Sequence, residues 1–243
     1  MKKIAICISG HMRSFEKGYE LIKKSLIDPN ENFSFYFFID TWEKLDWRTS
    51  GKFLSTVEQE QNIRRLYNPQ NMIIEKERDW NTEPFMKYVP DITCLKKGYG
   101  GVRSKGEHIP AMFYKIESCN NKKIDHENNH GFKFDLVMRH RTDIKIDGEI
   151  DLNKAYEVSK DHILVPISDN PPRFSCSKKN HTRDMFAISS SENIDYYSSV
   201  YKNLESICMQ TREFRPEIIL HQHLKNNDKI KTIEIEYSWD VIE

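Results

Sequence analysis

The sequence predicts a single α/β domain built on a mostly parallel sheet flanked by helices. Three observations predict it: short apolar runs recur along the chain, amphipathic segments separate them, and 243 residues suffice for one full core. Strands that alternate with helices are typical of a parallel sheet covered on both faces. The length also allows two small domains, but we expect one domain over residues 1–243.

Seven short apolar runs are predicted to be strands. They are "IAICI" (4–8), "FSFYFFI" (33–39), "MIIE" (72–75), "DLVM" (135–138), "HILVPI" (162–167), "MFAIS" (185–189) and "KTIEIE" (231–236). The first few are apolar throughout, as strands buried in a parallel sheet are. The last alternates apolar and polar residues, which indicates a half-exposed strand.

Five segments between these runs have helical patterns. They cover residues 14–27, 55–67, 109–122, 193–207 and 213–225. The first carries an apolar stripe from Phe15 to Leu26. Capping boxes, in which a serine precedes a glutamate by three residues, are predicted at Ser55 and Ser189.

Two stretches interrupt the alternation of strands and helices. Residues 94–108 hold four of the nine glycines with five basic residues, and residues 168–184 mix a proline pair with basic and polar residues. Because a periodic pattern resumes on either side, we expect mobile loops near 94–108 and 168–184 rather than domain linkers. The alternative interpretation is that both are ordinary solvated surface loops.

Composition and missing motifs disfavour several classes of protein. Lys+Arg and Asp+Glu are both 37, and no long basic run points to a nucleic-acid partner. The five cysteines contain no C-x-x-C pair, so we expect neither a disulfide framework nor a zinc site. The chain lacks a G-x-x-x-x-G-K-[ST] motif, a G-x-G-x-x-G after the first strand and a G-x-S-x-G elbow. P-loop enzymes, dinucleotide-dependent dehydrogenases and α/β-type serine hydrolases are therefore disfavoured.

Neither apolar stretch near the start of the chain is long enough for a targeting or anchoring role. The run "IAICI" after "MKK" is too short for a secretory signal, and "FSFYFFI" is too short to span a bilayer. We therefore expect a cytoplasmic protein.

Charged and aromatic residues follow three of the predicted strands. In an open α/β sheet, ligands bind beyond the carboxyl ends of the strands. That rule selects Ser9, Gly10, His11 and Arg13 after the first strand, Asp40 and Trp42 after the second, and Arg139, Arg141 and Asp143 after "DLVM". Guanidiniums suit phosphate oxygens, an aromatic ring offers a stacking face, and a carboxylate binds hydroxyls or a metal. The pattern predicts a site for a phosphorylated, ring-bearing ligand; the alternative is an internal Arg–Asp salt bridge.

Six motifs together resemble a known family. They are "ISGHMRSF", "FFIDTWE", "IPAMFYKIESCN", "DLVMRHRTDI", "RDMFAISSSENIDYY" and "RPEIILHQHL". In this order, over nearly the whole chain, they resemble the small GT-A-type glycosyltransferases of bacterial capsule and lipopolysaccharide clusters, including the WavE-like group, with relatives in large DNA viruses. The resemblance implies a GT-A-like, Rossmann-related fold and transfer of a sugar from a nucleotide-sugar donor to a glycan or lipid-linked glycan acceptor. An acceptor on a lipid carrier would bring the protein transiently to a membrane surface.

The resemblance also assigns roles to residues of the donor site. It implies that His11 and Arg13 bind the nucleotide and that Asp143 holds a Mn²⁺ or Mg²⁺ ion at the diphosphate. Here Arg141 stands where the D-x-D motif of the family has its first aspartate, so Arg141 could instead neutralise the diphosphate directly. A late histidine often completes the metal site in such enzymes, which implies a role for His223 or His221.

The acceptor side of the reaction needs a base if the transfer inverts the sugar. Asp184 and Glu217 are the candidates, because both follow segments expected to close over an acceptor. Under the glycosyltransferase hypothesis, the loop near 94–108 is a lid that orders on donor binding. Transfer of another nucleotide-activated group, a non-catalytic nucleotide- or sugar-binding module, and a structural scaffold stay open as alternatives.

Overall fold

The computed structural model describes residues 1–43, 56–80, 83, 85, 108–167, 181–211, 214–235 and 239–241. Its strands are β1 (Lys2–Ser9), β2 (Phe33–Trp42), β3 (Asn71–Glu75), β4 (Leu136–His140), β5 (Ile144–Ile146), β6 (His162–Pro166), β7 (Phe186–Ser189), β8 (Lys231–Ile235) and β9 (Trp239–Val241). Its α-helices are α1 (Phe15–Ile22), α2 (Thr56–Tyr67), α3 (His108–His130), α4 (Leu152–Val158), α5 (Ser191–Ser198), α6 (Val200–Thr211) and α7 (Pro216–Lys225).

Seven strands form one sheet in the order β3-β2-β1-β4-β7-β6-β8. The pairings β3 with β2, β2 with β1, β1 with β4 and β6 with β8 are parallel. Strand β7 runs antiparallel to both of its neighbours, β4 and β6. Strands β5 and β9 form a separate two-stranded antiparallel sheet. The predicted α/β fold with a mostly parallel sheet is therefore confirmed.

Hydrophobic side chains pack on both faces of the large sheet. Successive side chains of a strand point to opposite faces. On β1, Ala5 and Cys7 accordingly join a core with helices α3, α5, α6 and α7, whereas Ile4 and Ile6 join a core with α1, α2 and α4. Burial of these apolar surfaces on either side of the sheet is the main stabilising contribution. Helices flank both faces, as the sequence predicts.

All seven predicted strands are present, but several helical predictions need correction. The first helix is α-helical only to Ile22 and continues as a π-helical segment over Lys23–Ile27. Helix α3 extends to His130, beyond the predicted end at 122, because its buried stripe continues through Lys123 and Glu127. The helix predicted at 193–207 is two helices, α5 and α6, separated at Ser199.

The capping serine before α5 is one residue later than predicted. Ser190 is the N-cap, and its hydroxyl accepts a hydrogen bond from the amide of Asn193. Ser189 ends strand β7 in full burial, and its hydroxyl oxygen lies within hydrogen-bond distance of the carbonyls of Ser159 and His162, at 2.9 and 2.6 Å. Those tertiary contacts occupy Ser189, so it cannot cap the helix. The Ser55 capping box lies outside the described residues.

The predicted mobile loops also fall largely outside the described residues, which resume at His108 and at His181. The lid near 94–108 therefore stays a prediction. None of the helices in the described ranges combines the length and apolarity that crossing a membrane requires.

Candidate functional site

The parallel strands bring several predicted site residues to one edge of the sheet. In the strand register, Ser9 lies opposite Asp40 and Ile8 lies opposite His140. Because β7 is antiparallel, its first residue, Phe186, lies opposite His140 at this same edge. The loops that follow β1, β2 and β4 and the segment that precedes β7 therefore meet here, and we call this region the carboxyl edge.

The loop after β1 turns sharply and is tied to β2. Gly10 has a φ of 100°, a conformation that favours glycine, as the prediction of a tight turn requires. Its amide donates to the carbonyl of Asp40 at 3.0 Å. Further along the loop, His11 Nε2 lies 3.4 Å from Glu77 Oε1. The hydroxyl of Ser9 is buried at the start of this loop and has no hydrogen-bond partner in the part of the chain that the structure describes.

Two guanidiniums share the carboxylate of Asp143. Arg141 donates from Nε to Oδ1 at 2.9 Å and from Nη2 to Oδ2 at 2.7 Å, and Arg13 Nη1 lies 3.4 Å from Oδ2. Burial alone would raise the pKa of Asp143, but the charge and hydrogen bonds of Arg141, with the charge of Arg13, lower that pKa below its ordinary value. Asp143 is therefore ionised and links the first loop to the segment after β4.

Arg139 connects β4 to the segment that precedes β7. Its side chain is 2% exposed, and Nη1 donates to the carbonyls of Asp184 and Met185, the latter at 2.7 Å. Among the described residues, its Nε has no hydrogen-bond partner. The hydroxyl of Tyr197, whose phenol interacts electrostatically with Arg139 and Asp184, has none there either. Buried polar atoms without partners are uncommon and often mark functional sites.

The two predicted catalytic carboxylates lie close together. The amide of Thr182 donates to the carbonyl of Glu217 at 3.0 Å, which joins the segment before β7 to the start of α7. Burial, followed by the charge of Asp184, raises the pKa of Glu217, while Arg183 and Arg215 oppose that rise. A carboxylate with a raised pKa is a stronger base near neutral pH.

Asp40 and Trp42 are the third-last and last residues of β2, at the carboxyl end of the strand as predicted, but their side chains are engaged by other elements. Asp40 is fully buried, and Lys115 of α3, also fully buried, donates to its carboxylate. Lys115 Nζ donates further to the carbonyl of Thr41 at 3.0 Å and to Glu75 Oε2 at 2.6 Å, and it lies 4.0 Å from the ring centre of Trp42. Direct contact of Asp40 with a nucleotide is therefore not supported, because its carboxylate is buried against α3.

Trp42 belongs to an aromatic wall beside the carboxyl edge. Its ring stacks on Tyr114 with centres 6.2 Å apart and meets Trp80 edge-on at 6.1 Å. The guanidinium of Arg78 lies 4.0 Å from the ring centre of Trp80 and donates to the hydroxyl of Tyr201 at 2.8 Å. Trp42 and Trp80 are each only 4% exposed. Trp42 therefore packs inside this aromatic cluster and does not offer its ring to a ligand.

His223 is not brought to Asp143. Its ring stacks on Tyr196 with centres 4.4 Å apart, and Nε2 lies 2.8 Å from the carbonyl of Tyr196 and 3.3 Å from the hydroxyl of Ser199. These contacts occupy His223 in the packing of α7 against α5. His221 lies elsewhere on α7, with Nδ1 at 3.3 Å from the hydroxyl of Thr182.

The residues of the carboxyl edge do not fit a Mn²⁺ or Mg²⁺ ion in this arrangement. Within the described ranges, no group of three or more His, Cys, Asp and Glu side chains is placed to hold a metal ion. Asp143 faces two guanidiniums, and His223 is held by Tyr196 and Ser199. Such ions require several oxygen ligands around one position.

Sequence reasoning missed four residues that the structure adds to the region: Lys115, Arg183, Tyr197 and Arg215. Lys115 precedes the buried Cys119 and Lys123 by four and eight residues, a spacing that places all three on one stripe of a helix. This spacing was the available signal, although a lysine on a buried stripe reveals its partner only in the tertiary structure. Arg183, Tyr197 and Arg215 lie within the quoted motifs, but no periodic spacing in the sequence marks them as site residues.

The chain matches no model of a known protein family and no curated protein sequence. The geometry of the carboxyl edge and the six sequence motifs are therefore the features of this chain that bear on its function. The relation to GT-A-type glycosyltransferases stays a prediction.

Proposed function

We propose that the protein is a glycosyltransferase that moves a sugar from a nucleotide-sugar donor to a glycan acceptor. The observation that carries the proposal is a connected cluster of guanidiniums and carboxylates at the carboxyl edge, with a base candidate at one side. Among the described residues, its guanidiniums are Arg13, Arg139, Arg141, Arg183 and Arg215, and its carboxylates are Asp143, Asp184 and Glu217. Several guanidiniums gathered at one site favour an anionic ligand, because each offers charged donors to phosphate oxygens.

The guanidiniums suit the leaving group of glycosyl transfer. When the bond between the sugar and the diphosphate breaks, the nucleoside diphosphate gains negative charge, and preorganised donors stabilise that charge. Arg13 and Arg141 are each partly exposed and are both held by Asp143. In the proposed reaction these two side chains bind the diphosphate beside the loop after β1, where Gly10 allows the turn.

Glu217 is the proposed base. It accepts the proton of the acceptor hydroxyl while that oxygen forms a bond to the sugar carbon and the diphosphate leaves with its electron pair. The raised pKa of Glu217 suits this task, since burial and the charge of Asp184 make the carboxylate more basic. Asp184 acts through Glu217, because its charge contributes to the raised pKa of that carboxyl group. Arg139 holds Asp184 in place by donating to its main-chain carbonyl.

The fold and the sequence motifs support the same proposal. A mostly parallel sheet with its charged site at the carboxyl edge agrees with a GT-A-like arrangement. The motif resemblance adds the substrate class, a nucleotide sugar, and an acceptor in surface polysaccharide or glycan synthesis. Within this proposal the activity is cytoplasmic.

Donor turnover tests the proposal. The purified protein is incubated with UDP-, GDP-, CDP- and ADP-sugars, with and without added glycans, and release of the nucleoside diphosphate is measured. We expect release from one donor, and a decrease of about 10²- to 10⁴-fold in Glu217→Gln with donor binding retained. The matched control is Glu192→Gln, an exposed acid in the first turn of α5. Binding without release by the wild type would favour a non-catalytic module, and no binding would contradict the proposal.

A further inference from the structure

The geometry points to a site that binds the donor diphosphate without a divalent cation. We propose that Arg141, held in a fixed orientation by Asp143 and supported by Arg13, stands in the place of that cation. This inference rests on the proposed function, since it names the group that neutralises the diphosphate at the same site.

The carboxylate of Asp143 is already engaged on both oxygens. Arg141 binds Oδ1 and Oδ2 through two nitrogens, at 2.9 and 2.7 Å, and Arg13 approaches Oδ2 at 3.4 Å. The Asp143 side chain is 4% exposed. A metal ion would have to approach to about 2.0–2.2 Å of an oxygen that already faces a guanidinium, and the two cations would repel each other. Asp143 is therefore a positioning residue for Arg141.

Arg141 keeps donors available for an anion. A guanidinium has five N–H donors in a fixed planar arrangement. Asp143 accepts from two of its nitrogens, and within the described part of the chain Nη1 faces the thioether sulfur of Met185 at 3.3 Å. A thioether is a weak acceptor, so a phosphate oxygen would replace it favourably. The Arg141 side chain is 24% exposed, which gives an anion a route to these donors.

The charges of this group match those of a metal site. Arg13 and Arg141 place two unit positive charges at the carboxylate of Asp143, as many as one divalent cation carries. The bidentate geometry of arginine also suits phosphate oxygens. Arg13, Arg141 and Asp143 therefore supply both the charge and the directed donors that a diphosphate requires.

Binding of free nucleoside diphosphates in the presence of EDTA tests the inference without relying on turnover. Isothermal titration calorimetry is run with UDP, GDP, CDP and ADP in EDTA, in Mg²⁺ and in Mn²⁺. We expect the diphosphate that binds to have the same dissociation constant, within about threefold, in all three buffers. Mn²⁺ electron paramagnetic resonance should show no protein-bound ion beyond that carried by the nucleotide itself.

Two variants and one control sharpen the test. Arg141→Lys keeps the charge but loses the planar donors, and it should weaken binding in EDTA by at least about tenfold. Asp143→Asn releases Arg141 from its fixed orientation and should weaken binding equally in EDTA and in Mn²⁺. Arg64→Lys, on the exposed face of α2, is the matched control and should bind as the wild type does. Circular dichroism confirms that each variant is folded.

The outcomes separate this inference from the proposed function. Binding that disappears in EDTA and returns with Mn²⁺ would overturn the inference and leave the glycosyltransferase proposal intact. Loss of the Mn²⁺ response in Asp143→Asn would then identify Asp143 as a metal ligand. If no nucleoside diphosphate binds in any of the three buffers, the proposed function itself fails.

Discussion

At the scale of single residues, the charges of the carboxyl edge are held by specific buried partners. Asp143 pairs with Arg141, Asp40 with Lys115, and Arg139 with main-chain carbonyls. Transfer of an ion from water into a protein is unfavourable, so removal of one partner leaves the other as an uncompensated buried charge. Stability at these positions therefore depends on complete pairs rather than on single residues.

Lys115→Met tests the buried pair with Asp40. The substitution preserves much of the side-chain volume but leaves the carboxylate of Asp40 buried beside Glu75 without its cation. We expect the free energy of unfolding, measured by urea denaturation, to fall by about 3–5 kcal/mol. Lys122→Met, at a more exposed position of the same helix, should change it by less than about 0.5 kcal/mol.

The double variant Lys115→Met with Asp40→Asn tests the cause of that loss. Removal of both charges should leave the protein more stable than Lys115→Met alone, because no unpaired carboxylate stays buried. A double variant as unstable as the sum of the two single variants would show that packing, rather than charge, dominates at this position.

His140 makes stability depend on pH. Burial, followed by the charge of Arg139, lowers the pKa of His140 to about 4. Between the ordinary value of 6.5 and about 4, the unfolded chain binds a proton that the native state does not, so stability falls as the pH falls through this window. The full effect is about 3 kcal/mol.

Urea denaturation of the wild type and of His140→Gln at several pH values from 7 to 4 measures this effect. The wild type should lose its advantage over the variant progressively as the pH is lowered, by about 3 kcal/mol in total. A difference between the two proteins that does not change with pH would rule out His140 as the source.

At the scale of secondary-structure elements, helix α1 is packed directly against the segment that carries Arg141 and Asp143. Gly18 is the contact point: a Cβ atom added there would lie 2.2 Å from the carbonyl oxygen of Thr142. In addition, the hydroxyl of Thr142 lies 3.4 Å from the carbonyl of His11. The first loop, α1 and the segment after β4 are thus placed relative to one another by close backbone contacts.

Gly18→Ala tests this contact between elements. Alanine favours a helix by about 1 kcal/mol over glycine, but the backbone of Thr142 cannot give way without moving Arg141 and Asp143. We expect the steric effect to dominate, with a loss of about 1–3 kcal/mol in unfolding free energy and weaker binding of the nucleoside diphosphate. Lys17→Ala, at an exposed position of α1, is the control and should leave both quantities nearly unchanged. A stabilised Gly18→Ala variant would show that this contact is not restrictive.

At the scale of the whole molecule, one sheet joins the early and late parts of the chain. Strands β1 to β3 and strands β6 to β8 are connected through the pairing of β4 with β7. The site lies at this junction, since Arg139 of β4 bonds the segment before β7. Separation of the two halves would disrupt both the sheet and the arginine cluster.

The shared sheet leads to an expectation for unfolding. Tryptophan fluorescence and far-ultraviolet circular dichroism should report one coincident urea transition, because neither group of strands can unfold without breaking the β4–β7 pairing. Two separable transitions would instead indicate two independently folding units and contradict the single-domain prediction.

Local patterns predicted the strands well and the partners poorly. All seven strands of the large sheet follow from local patterns, because a strand buried on both faces has apolar side chains in consecutive positions and the half-exposed β8 alternates apolar and polar ones. The antiparallel direction of β7 and the short strands β5 and β9 did not follow, since periodicity carries no information on direction and three-residue strands have too few residues to show it. The predicted end of α3 lies eight residues before its observed end. The buried stripe of the last turns includes the charged residues Lys123 and Glu127, which an apolar pattern does not detect.

By itself, the sequence determined the α/β class and the carboxyl edge as the place where Arg13, Arg141 and Asp143 meet, because parallel strands end at the same side of a sheet. Only the tertiary structure decided the partner of each charge. It paired Asp40 with Lys115 from α3, engaged His223 with Tyr196, and brought Asp184 beside Glu217. The physical reason is that a charged side chain shows no preference for a particular partner in the sequence. Its partner is selected by which distant elements pack together and exclude water.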